Sequence, residues 1–145
     1  MPDGGLPDAA REPRGVLDAG VVLARLDPSR RSHKAVRELF DRCTQGKIRL
    51  MLSMVNLAEA LQYARDYQTS TGFDLIAALR SYDVALHSPD VPVVRRVAEL
   101  AVIHDASPGD RFAMATAQIN KSRLYTTDPT LLKYCRQRKL PVTHF

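Results

Sequence analysis

At 145 residues, with 45% hydrophobic and 26% charged residues, the chain has the size and composition of one globular domain with a core of its own. No apolar run approaches the roughly 18 residues that span a bilayer, and the opening MPDGGLPDAAREPRG lacks the apolar stretch of a secretory signal. Cys43 and Cys135 show neither metal-type spacing nor a disulfide framework, which points to a reducing cytoplasm.

Net charge is +5. Residues 1–14 carry two Arg against Asp3, Asp8 and Glu12, leaving the rest of the chain at +6. A basic domain favours polyanions, nucleic acid above all, through phosphate contacts and counterion release, although many basic proteins bind none.

Residues 1–14 hold three of the nine prolines and two of the seven glycines, and read as a flexible leader outside the fold. A single domain over 15–145 follows. GVLD (15–18) reads as a strand, followed by a helix over 20–26. A second helix covers 33–43, with Val36, Leu39 and Phe40 on one face. KIRLML (47–52) is a second strand, after which Ser53 caps a helix to about residue 67. Further helices are predicted over 73–82 and 91–104, with the strand VALH (84–87) between them. SPGDRFAMATAQIN (107–120) writes out its own helix start, with Ser as cap and Pro at the first position. RLYTT (123–127) is a fourth strand, Asp128 opens the last helix, and LPVTHF supplies a fifth strand. Strands separated by helices predict an α/β fold: a three-layer α/β/α sandwich around a parallel sheet of four to five strands.

In such a sheet, ligands bind at the carboxyl ends of the strands, where strand order reverses. Asp18 ends the first strand and Asp128 the fourth. Glu59 lies in the second turn of the helix leaving strand two. Asp110 sits in the first turn of the helix that feeds strand four, and that helix must run antiparallel to the strand, so its start lies on the same edge. Each acid has a structural reading of its own: Asp18 and Asp128 as helix caps, Asp110 as the acid of a capping box, Glu59 as part of a solvated face. A cap contributes about 1 kcal/mol, whereas two carboxylates about 4 Å apart repel by roughly 4 kcal/mol at an effective dielectric near 20. If the four converge, a divalent cation is what holds them, and an all-oxygen site suits Mg2+ or Mn2+. Such an ion lowers the pKa of a bound water and neutralises phosphate charge, as phosphodiester hydrolysis requires.

The succession VLDAGVVLARL, LSMVNLAEAL, SPGDRFAMATAQ and RLYTTD resembles the PIN domain, and more closely the VapC-type toxins of bacterial toxin–antitoxin pairs, from about Gly15 to the end of the chain. The resemblance implies that Asp18, Glu59, Asp110 and Asp128 form the catalytic, metal-binding set, with Thr126 beside Asp128 as supporting threonine. It implies Mg2+- or Mn2+-dependent endonucleolytic cleavage of RNA, a homodimer, and a cognate VapB-type antitoxin. One departure stands out. Where the family often carries a hydroxyl two positions after the first aspartate, this chain has Gly20, so water or Thr126 would have to replace it. Gly20 is also the one feature favouring a non-catalytic PIN-like module that binds RNA or protein.

Arg111, next to Asp110, either contacts the scissile phosphate or is a helix-surface arginine. Arg65, Lys121 and Arg123 are candidates for the RNA track by charge alone. The four histidines (His33, His87, His104 and His144) have no ligand spacing, and both cysteines read as buried apolar side chains. A receiver domain would need an acidic pair after strand one, a haloacid-dehalogenase-type phosphatase a second acid at position 20, and a dinucleotide fold a G-x-G-x-x-G. The sequence has none of these.

Overall fold

The computed structural model describes residues 13–145. The elements follow in the order β1 (Arg14–Leu17), α1 (Ala19–Leu26), α2 (His33–Thr44), β2 (Arg49–Ser53), α3 (Met54–Thr71), α4 (Leu75–Ser81), β3 (Ala85–His87), α5 (Val91–Glu99), α6 (Pro108–Ile119), β4 (Arg123–Thr126), α7 (Pro129–Gln137) and β5 (Val142–His144). The leader expected over 1–14 lies outside the described residues up to position 12. Arg14 already belongs to β1, and the Pro13 carbonyl accepts from the Arg49 N–H at 2.9 Å.

The five strands form one sheet in the order β3-β2-β1-β4-β5, and every neighbouring pair is parallel. Alternation along the strands sorts the side chains into two cores. Leu17, Leu50, Leu52 and Tyr125 point into one, packed under α1 to α4 by Val22, Phe40, Leu57 and Leu79. Val16 and Leu124 point into the other, under α5 to α7, with Val93, Met114 and Leu131. This is the expected three-layer α/β/α sandwich, with five strands.

Helix starts follow the local chemistry. Ser53, Asp74, Asp90, Ser107 and Asp128 each accept an N–H of the helix they open. Asp90, which also follows a strand, caps α5. Two helices differ from expectation. The chain from Val91 leaves the α-helix after Glu99, tightens into a 3-10 turn over Leu100–Val102, and turns away so that Leu100 is buried. Helix α3 runs on to Thr71, ending at Gly72 in a left-handed conformation (φ 72°) that glycine adopts without strain.

Strand order reverses between β1 and β4. Connections from β1 run outward through β2 to β3 over one face, and those from β4 to β5 lie on the other. The chains leaving β1 and β4 therefore diverge, and a crevice opens between them at their carboxyl ends. No helix among the described residues is long and apolar enough to cross a membrane.

Candidate active site

A cleft of about 260 Å3 occupies that crevice, lined by Asp18, Gly20, Arg30, Asn56, Glu59, Tyr63, Gly109, Asp110, Thr127 and Asp128. The four acids named from the sequence are thus brought to one pocket by four different elements.

Asp18 follows β1 directly and is buried (7% exposed). Its N–H donates to the Tyr125 carbonyl at 3.1 Å, tying the exit of β1 to β4. Its Oδ1 accepts the Val21 N–H at 2.9 Å, and its Oδ2 accepts the Thr126 hydroxyl. The same Thr126 oxygen accepts the Asp128 N–H at 2.9 Å. Thr126 therefore joins the two aspartates that flank the crevice, and Asp128 in turn caps α7 through the Thr130 N–H at 2.8 Å. Asp110 and Ser107 close a reciprocal capping box, Ser107 N–H to Asp110 Oδ2 at 3.2 Å and Asp110 N–H to Ser107 Oγ at 3.1 Å. The structural readings of Asp18, Asp110 and Asp128 hold alongside their shared pocket. Capping fixes each carboxylate, and one oxygen of Asp110 (Oδ1) and one of Asp128 (Oδ2) accept no hydrogen bond among the described residues.

Glu59 is half-buried. Asn56, one turn earlier on α3, donates from Nδ2 both to Glu59 Oε1 (2.9 Å) and to the Gly109 carbonyl (3.0 Å). A side chain at Gly109 would land on the Glu59 carboxylate, with Glu59 Cδ at 2.5 Å and Oε2 at 2.6 Å from an added Cβ. Gly109 is thus the space in which Glu59 meets the start of α6. Asn56 Oδ1 is buried with no hydrogen-bond partner.

Burial pushes Asp18 up from 3.8 to about 6, and the charges of Asp128 and Asp110 push the same way, against the hydrogen bonds from Thr126 and Val21. Asp110 is also raised, by burial first and then by Asp128 against its capping bonds and Arg111. The pocket is short of positive charge. An oxygen-only set in that state fits a hard divalent cation. Among the described residues, however, no three His, Cys, Asp or Glu side chains close tightly enough to hold an ion directly.

Position 20 resolves the sequence's departure. A Cβ on Gly20 would fall on Thr127 Oγ1, and would stand 3.4 Å from Asp18 Oδ1 and 3.8 Å from Thr127 Cβ. The room that Gly20 leaves beside Asp18 is filled by the hydroxyl of Thr127, which makes no hydrogen bond among the described residues. Thr127, at β4's exit, fills that room, while the hydroxyl that hydrogen-bonds Asp18 is the one the sequence offered, Thr126.

The basic residues named from the sequence are not gathered here. Arg111 turns back from the pocket and donates to the Ile103 carbonyl at 2.9 Å, anchoring the loop before α6. Arg65 is exposed on α3 beside Asp66 (3.6 Å). Lys121 and Arg123 lie at the opposite, amino edge of the sheet, where Arg123 donates to the Val142 carbonyl at 3.0 Å. The cation at the pocket is Arg30, from the loop between α1 and α2, which also approaches Asp27 at 3.6 Å. Arg30, Asn56, Tyr63, Gly109 and Thr127 were not singled out by sequence. Asn56, three residues before Glu59, and Tyr63, four after it on the same helix, left a spacing that could have pointed to them. Both cysteines are buried, and burial pushes the Cys135 thiol up to about 12, so it stays protonated. His33 is tied to the Ala24 carbonyl at 2.8 Å, outside the pocket.

Fold and site together define a doubly wound α/β domain with an acidic pocket at its switch point. The model of the PIN domain matches residues 15–137, and the chain belongs to the PIN domain family. No curated protein matches the sequence. Among solved structures, the chain is similar to VapC20 of Mycobacterium tuberculosis, described as a sarcin-ricin loop cleaving toxin (TM-score 0.63, 16% identity, 83% of this chain and 94% of that one). It is also similar to VapBC2 of Rickettsia felis bound to a promoter DNA fragment (TM-score 0.69, 15% identity, 91% and 98%). A third likeness is to VapBC-1 of nontypeable Haemophilus influenzae (TM-score 0.66, 16% identity, 90% and 97%). At these identities the likeness is one of fold.

Proposed function

We propose that the protein is a metal-dependent endoribonuclease that hydrolyses RNA phosphodiester bonds as the toxin of a VapBC-type toxin–antitoxin pair. The observation that carries this reading is the convergence of Asp18, Glu59, Asp110 and Asp128, from four elements, on one electron-rich cleft in a PIN-family fold. The similar structures, a loop-cleaving toxin and two VapBC proteins, support an RNA substrate and a VapB-type partner. A homodimer accompanies that reading.

Asp18, Asp110 and Asp128 would hold Mg2+ or Mn2+, directly or through water. The ion would supply charge neutralisation for the phosphate and a water of lowered pKa. Thr126 keeps Asp18 and Asp128 in register with one hydroxyl. Glu59, held by Asn56, would accept the proton of an attacking water. Arg30 at the rim supplies a cation for the phosphate, the role the sequence had offered to Arg111. The Thr127 hydroxyl adds a donor beside Asp18.

Asp128→Asn separates structure from chemistry. Asn caps a helix about as well as Asp, so thermal stability should change by less than about 0.5 kcal/mol. RNA cleavage should nevertheless fall at least a hundredfold (~3 kcal/mol of transition-state stabilisation). Unfolding of the variant, or cleavage at the wild-type rate, would refute Asp128's double role.

A further inference from the structure

α6 and α7 both run from the acidic crevice to the opposite edge of the sheet. Where they end, a second cleft of about 500 Å3 opens between the turns that lead into β4 and β5. Its charged lining is Lys121, Arg123, Arg138 and Lys139, and no acid lines it. All four side chains are exposed, and none has an ion-pair partner among the described residues. The basic edge continues along the sheet. Gly15, next to Arg14, is the register partner of Arg123, and Arg14 is that of Arg49.

Cations near helix C-termini complement the helix dipole, and that alone accounts for one or two of them. It does not account for two further facts. Arg123 is a strand residue, and Lys121 and Lys139 both occupy left-handed backbone positions (φ 50° and 54°) just after α6 and α7. Glycine or asparagine suits such positions better than lysine. At the corresponding turns the chain uses glycine after α2 and α3, Gly46 and Gly72, and after α4 an aspartate, Asp83 (φ 62°), a residue type that tolerates this region better than lysine. At this cleft it twice accepts backbone strain and mutual repulsion in order to present a charge.

We infer that this amino-edge cleft is a second anion site, which binds the phosphate backbone of RNA away from the acidic pocket. The inference rests on the RNA reading of the acidic site. The 12 residues of α6 put the two sites about 18 Å apart, so different phosphates of one strand would occupy them. The acidic pocket would then cut, and the basic edge would hold and orient.

Lys121→Asn combined with Lys139→Asn removes two charges while giving the left-handed turns a more favourable residue. Binding of fluorescein-labelled poly(U) RNA is measured by anisotropy across a salt series, in chelator so that nothing is cut. The variant should melt no lower than wild type. With two fewer cations at the phosphates, its affinity at about 0.1 M salt should fall about 25-fold, and the slope of log K against log salt should shrink by about 1.4. In the wild type, poly(U) should also protect Lys121 and Lys139 from acetylation, read by mass spectrometry without any mutation. Unchanged affinity and slope, absent protection, or wild-type protein that binds polyglutamate but not poly(U), would each overturn the inference. The assay scores binding without metal, so failure of the nuclease reading would show separately, as poly(U) binding that persists in a protein unable to cut RNA.

Discussion

Gly20 and Thr127 lie 107 positions apart and share one small volume, so substitutions at the two should couple. Gly20 is the second residue of α1, where replacing glycine by alanine ordinarily gains up to about 1 kcal/mol of helix stability. Here the new Cβ would fall on Thr127 Oγ1. Overpacking of that kind costs about 1–3 kcal/mol, the lower figure applying if Thr127 swings its hydroxyl aside. Gly20→Ala alone should therefore lose up to about 2 kcal/mol, the overpacking less the helix gain. Thr127→Ala alone should be nearly neutral, because its hydroxyl has no partner to lose. In the Thr127→Ala background, the nearest remaining atoms are 3.4 Å and 3.8 Å from the new Cβ, and Gly20→Ala should become neutral or stabilising. The coupling energy is then about 1–3 kcal/mol, or a rescue of roughly 4–10 °C in melting temperature for a domain of this size. Urea and thermal unfolding of the four proteins in the cycle measure it. Additivity within about 0.5 kcal/mol would refute the shared volume.

The raised pKa of Asp18 has a sign that can be tested. The folded state keeps the Asp18 proton to about pH 6, while the unfolded chain releases it near 3.8. Without metal, stability should therefore fall as pH rises between those values, by up to about 3 kcal/mol from Asp18, with Asp110 acting in the same direction. Urea unfolding in chelator at intervals across that range checks it, and Asp18→Asn should remove most of the slope. A wild-type slope equal to that of Asp18→Asn would mean that burial does not raise the Asp18 carboxyl. Gly109→Ala should leave stability unchanged or slightly raised, because the clash is with the end of a flexible side chain, Glu59. Displacing Glu59 should still lower RNA cleavage at least tenfold, and cleavage at the wild-type rate would remove Glu59 from the chemistry.

Much of the architecture was legible because its signals are local. The Ser107–Asp110 capping box, Ser53 before α3 and Asp128–Pro129 before α7 fix where helices begin, and a helix that feeds a parallel strand must start at the opposite edge from where that strand starts. That geometry sufficed to bring the four acids to one rim. The strand order β3-β2-β1-β4-β5 has no local signal, and it decided which other residues join them. Arg111 stands next to Asp110 in sequence but about 100° further round the helix, where the Ile103 carbonyl claims it. Lys121 precedes β4 and Arg123 is its first residue, so both belong to its amino end, while Asp128 follows the strand at its carboxyl end. Arg30 reaches the pocket through tertiary packing alone. Gly20 read as a loss in the sequence, because the hydroxyl beside it comes from another segment.

The most direct test of the acidic pocket as an RNA-cutting centre is cleavage of total cellular RNA by the purified, antitoxin-free protein. It should be run with Mn2+, with chelator, and with Asp110→Asn. The account predicts discrete fragments with Mn2+ that vanish with chelator and with Asp110→Asn. Intact RNA in every lane, from wild-type protein shown to be folded, would contradict it, as would fragments that survive the loss of metal or of the Asp110 carboxylate.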